Sequence, residues 1–273
     1  MIHDGHVHSP YCPHGTSDSF EEYCDKAIEY GYQGITFTEH APLPSSFKDP
    51  TPMMDSAMKI EDVHRYLEEI EALKQQYKGH LNVYTGLEVD YIEGYEHETT
   101  AFLNEIGPLL DDSILSVHFL HLKGSYLCID YSPDVFQKAA LQLGSIDAVY
   151  QHYYKTVASS IRSDLGPYKP KRIGHITLAR KFAKKYPAKH DHLHDLSTIL
   201  HEIKNRGYEL DYNGAGCIKP LCKEPYPYDS IIERAMDLSI PLVYGSDAHQ
   251  VTGLLSGSNQ LVAKAVLSKP QQL

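Results

Sequence analysis

Ile2-His3-Asp4-Gly5-His6-Val7-His8 opens the chain as a strand. Side chains on a strand alternate between faces, so Asp4, His6 and His8 share one side. Two histidines spaced in this way can grip one metal ion. Working outward, five later segments end in the same kind of residue. They are Thr38-Glu39-His40, Gly86-Leu87-Glu88-Val89-Asp90, Ser116-Val117-His118, Gly174-His175 and Gly245-Ser246-Asp247-Ala248-His249. Each falls at the C-terminal end of a predicted strand.

Helical patterns lie between those strands. Asp18 reads as the cap of a first helix, with Glu21 completing a capping box, and Phe20, Tyr23, Cys24, Ala27 and Ile28 at helical spacing. Ile35 to Thr38 follows as a strand. Helices are predicted over 59–78, 97–110, 145–163, 190–206 and 228–238. Strands are predicted over Leu81 to Val89, Ser113 to Phe119, Arg172 to Ile176, Tyr208 to Tyr212 and Pro241 to Tyr244. Leu254 and Leu261 to Leu267 are expected to finish in helix. This alternation implies an α/β fold with a mostly parallel sheet. About seven strands of similar length favour a closed barrel, in which functional groups gather at the C-terminal strand ends. Residues 41–58, with four prolines, read as a long loop in the place of a lid.

The chain of 273 residues suits one domain, read as 1–273. Its formal charge of −11 argues against a nucleic-acid partner, which requires a basic footprint. Five cysteines, an odd number without a Cys-x-x-Cys pair, fit free thiols in a reducing compartment. No stretch reads as a signal peptide or a membrane span, so a cytoplasmic protein with no membrane partner is expected. Oligomeric state is not legible.

The ligand types are imidazole nitrogen and carboxylate oxygen without thiolate. They suit zinc, manganese or iron alike. Glu88 can bridge two ions and so lower the pKa of a shared water. His190, His192 and His194 also cluster, but in a polar, lysine-flanked segment with no strand before it, so they read as a solvated helix start. His64, His80, His97, His152 and His201 read as surface residues, and His121 is left undecided.

The ordered motifs, together with His14 and Tyr91, resemble the PHP (polymerase and histidinol phosphatase) family. They span almost the whole chain. Within it, the length, the Gly86-to-Tyr91 segment and the Ser116-Val117-His118-Phe119-Leu120 segment look most like the monofunctional histidinol-phosphate phosphatases. The resemblance implies a distorted (β/α)7 barrel and a trinuclear site. It implies metal ligands at His6, His8, His14, His40, Glu88, His118, His175, Asp247 and His249. His6, His8, Glu88 and Asp247 would hold one ion, His14, His40 and His249 a second, and Glu88, His118 and His175 the third.

The expected activity is that of a phosphoric monoester hydrolase with two or three divalent ions (zinc, iron or manganese). It would cleave L-histidinol phosphate by in-line attack of a metal-bound hydroxide. His6, His8, Glu88, Asp247 and His249 would carry the chemistry. Arg162 and Arg180 flank the His175 strand and are candidates for the phosphate, and Asn213 and His14 for other substrate contacts. Another phosphomonoester, such as phosphotyrosine or a small nucleotide, is the alternative substrate. A metal-dependent amidohydrolase is the alternative enzyme.

Overall fold

The computed structural model describes residues 2–272. In chain order the elements are β1 (Ile2–Val7), α1 (Phe20–Glu29), β2 (Tyr32–His40), α2 (Val63–Gln76), β3 (Asn82–Asp90), α3 (Glu96–Ile106) and β4 (Ile114–Ser116). A hairpin of β5 (Phe119–Leu122) and β6 (Ser125–Cys128) interrupts the alternation. Then come α4 (Pro133–Leu143), α5 (Ile146–Arg162), β7 (Arg172–Ile173), α6 (Leu193–Arg206), β8 (Glu209–Asn213), the single turn α7 (Ala215–Ile218), α8 (Asp229–Asp237) and β9 (Leu242–Gly245).

Seven strands form one parallel sheet in the order β1-β2-β3-β4-β7-β8-β9. Parallel strands covered on both faces lose the in–out polarity of a half-exposed sheet. In β2, accordingly, Ile35, Thr36, Phe37 and Thr38 are all buried. The segment after β9 turns back against β1 and nearly closes the barrel. A parallel bridge joins Val7 to Ala248, and Asp247 donates its N–H to the His6 carbonyl at 2.8 Å. Buried Asp4 reinforces the seam, accepting from the His6 and Ser246 N–H groups at 3.2 and 3.0 Å and from the Tyr32 hydroxyl at 3.1 Å.

Helix ends explain part of the register. Ser19, not Asp18, caps α1, with Glu22 closing the box: the Glu22 N–H reaches the Ser19 hydroxyl at 3.2 Å and the Ser19 N–H reaches Glu22 at 2.7 Å. The Asp18 carboxylate instead accepts from the Val251 N–H at 2.7 Å, tying the loop after β1 to the loop after β9. The predicted strand Ser113 to Phe119 is two pieces. Strand β4 stops at Ser116, the Asp90 carboxylate draws off the His118 N–H at 3.2 Å, and Phe119 starts the hairpin. The hairpin and α4 were not assigned from sequence. The expected terminal helix is absent: short 3-10 turns at Val251–Gly253 and Ser258–Gln260 precede an extended tail that bridges Leu242 at Leu267. Gly257, with φ +67 and an ideal Cβ that would stand 2.4 Å from the Gly214 carbonyl, interrupts any helix running on from Leu254, and the Val262 N–H beyond it is taken by the Tyr212 hydroxyl at 2.9 Å. The loop 41–58 has no helix or strand, as expected, and Asp49 braces it by accepting from the Thr51 and Ser56 N–H groups at 2.8 and 3.0 Å.

Arg172 on β7 crosses the barrel interior and is fully buried. It donates to the Gly5 carbonyl at 2.7 Å and to Asp112 at 2.6 Å. Removing one partner of a buried ion pair strands the other charge away from water. Arg172→Met should therefore destabilise the fold by about 3–5 kcal/mol in chemical denaturation. A loss below about 1 kcal/mol would mean that the Asp112 charge is not committed to this pair.

Candidate metal centre

The strand ends deliver their side chains to one place. His6 and His8 from β1, His40 from β2, Glu88 from β3, His118 after β4, His175 after β7 and Asp247 and His249 after β9 surround a cavity of about 460 Å³ or lie just beneath it. His14, on the exposed loop after β1, stands at its rim. Its ring lies 5.1 Å from those of both His40 and His249, which are 5.8 Å apart. All nine sequence-predicted ligands are thus assembled together.

Glu88 is the centre of the group and is almost completely buried. Its two oxygens face different partners. Oε2 lies 3.3 Å from His6 Nε2, 3.6 Å from His8 Nε2 and 3.2 Å from His40 Nδ1. Oε1 lies 2.9 Å from His175 Nε2 and 3.8 Å from His118 Nε2, and accepts from the Ser116 hydroxyl at 2.6 Å. Burial alone would push the Glu88 carboxyl up; the fields of His6, His118 and His40 outweigh it and hold it well below its ordinary range. Asp247 is held low against the same penalty by His6, His8 and His249.

The histidines are pre-set by what lies behind them. His6 Nδ1 meets Asp211 at 3.0 Å, His8 Nδ1 meets Glu39 at 3.3 Å and His118 Nδ1 meets Asp90 at 2.8 Å. His14 Nδ1 donates to the Asp55 carbonyl at 2.8 Å, and His249 Nδ1 to the Asp247 carbonyl at 3.0 Å. A carboxylate or carbonyl can only accept, so each Nδ1 keeps its hydrogen, and each Nε2 is left as the atom that can give a lone pair to an ion once it carries no proton.

Metal fit can be judged from the buried nitrogens. His6 Nε2, His8 Nε2 and both His40 nitrogens have no hydrogen-bond partner, although carboxylate oxygens stand within 3.2–3.6 Å of three of them. Such groups are close without being aimed at one another. Ligands around a tetrahedral ion at 2.0–2.1 Å are separated by about 3.3–3.4 Å and aim at a shared centre, which is this pattern. Ligand atoms within 4.8 Å of one another form the sets His6–His8–Asp247, Glu88–His118–His175 and His8–Cys12–His40–His249, with a fourth, His40–Asp90–His118, overlapping them. The second is the third grouping implied by the family resemblance, and the first contains three of the four residues of its first grouping, without Glu88. In the third, His8 and Cys12 join His40 and His249, and His14 is not within the set, its ring lying 5.1 Å from the rings of His40 and His249. The residues suit divalent ions.

Asp247 adopts φ +53, a left-handed conformation that Asp tolerates better than most residues. Its Oδ1 lies 3.3 Å from His8 Nε2, and its Oδ2 accepts from the Asn213 amide at 3.1 Å.

Three expected substrate contacts fall elsewhere. Asn213 is buried and does not line the cavity; its amide orients Asp247. Arg162 lies on the far end of α5 and pairs with Glu202 at 2.9 Å. Arg180 pairs with Glu224 and stacks 4.6 Å over the Tyr228 ring, outside the cavity lining. Flanking a strand in sequence does not aim a long side chain at its end. The His190–His194 segment is no metal group: α6 starts only at Leu193, His190 and His194 are exposed, and His192 packs between Tyr150 and Tyr154.

Sequence reasoning assigned no role to Glu39, Asp90 or Asp211. The period of two offered a signal for the last two, since Asp90 shares a strand face with Glu88, and Asp211 with Asn213.

Comparison with known proteins bears on this site. The PHP domain family matches residues 4–215. A histidinol-phosphatase of Bacillus subtilis (strain 168) is 51% identical over 249 residues, covering 90% of this chain and 93% of that protein. A crystal structure from Listeria monocytogenes is 38% identical with a TM-score of 0.91, covering 95% of this chain and 100% of that one. The histidinol phosphate phosphatase of Lactococcus lactis subsp. lactis Il1403, solved with zinc, L-histidinol and phosphate, is 18% identical with a TM-score of 0.72, covering 98% and 95%. That last likeness is one of fold.

Carboxylates behind metal-bound histidines typically govern affinity by about 10–100-fold. Asp211→Asn should weaken zinc binding by about tenfold or more in competition with a chromophoric chelator. Unchanged affinity would show that another group orients His6.

Proposed function

The chain belongs to the PHP domain family, and on that premise we propose that it hydrolyses L-histidinol phosphate to L-histidinol and phosphate in histidine biosynthesis. The carrying observation is Glu88, whose two oxygens face two histidine groups beside one cavity, in a chain 51% identical to a histidinol-phosphatase. The reading of residues 1–273 as one domain is supported by the seam that joins Val7 at the end of β1 to Ala248 after β9. Free cysteines suit a cytoplasmic setting, and no helix among the described residues is long and apolar enough to cross a membrane.

Two or three divalent ions, zinc, iron or manganese, would be held by His6, His8, His40, Glu88, His118, His175, Asp247 and His249, with His14 completing the rim. When bound, such ions neutralise phosphate charge and lower the pKa of water. The remaining work falls to the chain. Glu88 stays ionised and supplies one oxygen to each half of the site. Asn213 directs Asp247, while Asp211, Glu39 and Asp90 hold Nδ1 hydrogens so that Nε2 lone pairs face inward. The loop carrying Thr51, Asp55 and Ser56 forms part of the cavity wall.

Phosphate release should be fastest from L-histidinol phosphate when compared with tyrosine phosphate and a nucleoside monophosphate. It should be abolished by a chelator and restored by zinc or manganese. Chelator-sensitive turnover of another ester, with histidinol phosphate ignored, would keep the site and overturn the substrate.

Metal uptake should also depend on pH. Burial works against the charged ring of His8, but Asp247 and Glu39 push it up to about 9; Asp90 and Glu88 likewise raise His118 to about 10. Without an ion both rings are protonated at neutral pH, and a metal binds only the deprotonated nitrogen. Affinity should therefore rise between pH 7 and 9 with release of protons. Calorimetry in buffers of different ionisation enthalpy checks this, and a heat independent of buffer would contradict it.

A further inference from the structure

The cavity wall contains one ion pair in which neither partner is a predicted metal ligand. Lys181 Nζ donates to Asp130 Oδ2 at 2.8 Å, and the Cys128 thiol donates to Asp130 Oδ1 at 3.3 Å. All three residues line the cavity beside His118, His175 and Asp247. Lys181 belongs to the 3-10 segment Leu178–Phe182, just beyond His175. Side chains three apart in a 3-10 helix eclipse one another, and Leu178 and Lys181 both face the cavity. The neighbouring position turns away by a third of a turn, which is why Arg180 reaches Glu224 instead.

An ammonium group has three donors and no acceptor. Among the described residues Lys181 uses one of them, on Asp130. Burial alone would push the Lys181 ammonium down, but Asp130 outweighs it, and Asp247 adds to the effect, so the group keeps its charge. Asp130 and its Cys128 hydrogen bond restrict where that charge can go. The other lysine of the wall, Lys219, has no carboxylate within ion-pair reach among the described residues and follows the exposed Ile218.

We propose that Lys181, positioned by Asp130, is the side chain that binds a non-bridging phosphate oxygen of the substrate and of the released phosphate. Resting on the phosphomonoesterase reading above, it fills the role that Arg162 and Arg180 do not. Lysine binds phosphate as a point charge, and a carboxylate partner fixes where that charge stands.

The test uses the zinc-loaded full chain and its Lys181→Met, Lys181→Arg, Asp130→Asn and Lys219→Met variants. Metal content is measured first. Competitive inhibition by inorganic phosphate and by L-histidinol is then measured separately, with p-nitrophenyl phosphate as a second substrate. Lys181→Met should retain its metal, raise the phosphate inhibition constant and the KM for either ester at least tenfold, and leave L-histidinol inhibition within twofold. Lys181→Arg should recover most of the phosphate affinity, and Asp130→Asn should lose part of it. Unchanged phosphate inhibition in Lys181→Met would overturn the assignment. So would equal weakening of phosphate and L-histidinol, which marks a merely structural pair, or a larger effect from Lys219→Met. If Lys181→Met does not fold, Lys181→Met/Asp130→Asn removes both charges and is read by the same criteria. Hydrolysis of p-nitrophenyl phosphate but not of histidinol phosphate would overturn the substrate while leaving the Lys181 result readable.

Discussion

A carboxylate shut away from water must be compensated by its neighbours, and Glu88 is compensated by five imidazoles delivered from four other segments of the chain. Those segments can reach it only if the strands end at the same level around a nearly closed sheet. The seam between β1 and the segment after β9 is therefore part of the site. Asp247 shows this directly: its N–H closes the seam on the His6 carbonyl, and its carboxylate faces His8. Asp4 pins the same seam from beneath, through the His6 and Ser246 N–H groups.

Around Glu88 the structure is arranged in two layers. The inward nitrogens of His6, His8 and His40 stand 3.2–3.6 Å from carboxylate oxygens without being aligned to bond them. Behind them, Asp211, Glu39 and Asp90 take up the opposite sides of the rings. The outer carboxylates settle the proton positions, and the inner atoms are left as lone pairs converging on shared points. Asn213 does for Asp247 what the outer carboxylates do for the histidines.

The cavity wall follows a different logic. The 3-10 turn after His175 sends adjacent residues to different sides, so Lys181 faces the cavity while Arg180 is consumed by Glu224 and Tyr228. Arginine chemistry suits a phosphate better in the abstract. Backbone geometry overrides that preference here.

Much of this was legible in one dimension. The period of two put His6 and His8 on one face, strand–helix alternation implied a parallel barrel, and a barrel brings strand ends together, so the nine proposed ligands could be named from spacing and resemblance. Element ends were less legible. Ser19 rather than Asp18 caps α1 because the Asp18 carboxylate is used by Val251, more than two hundred residues away. The stretch Leu261 to Leu267 lacks a helix because its backbone is engaged across the barrel, the Val262 N–H by the Tyr212 hydroxyl and Leu267 by a bridge to Leu242. Such outcomes depend on contacts across the barrel, for which local pattern carries no signal. The sequence alone thus determined which residue types face inward, since that depends on the repeat of the backbone. Only the tertiary structure decided which carboxylate orients which histidine, that Asn213 serves Asp247, and which cation reaches the cavity. Those pairings are set by distances of about 3 Å between distant segments, and hydrogen bonding falls off too steeply with distance and angle for spacing along the chain to specify them.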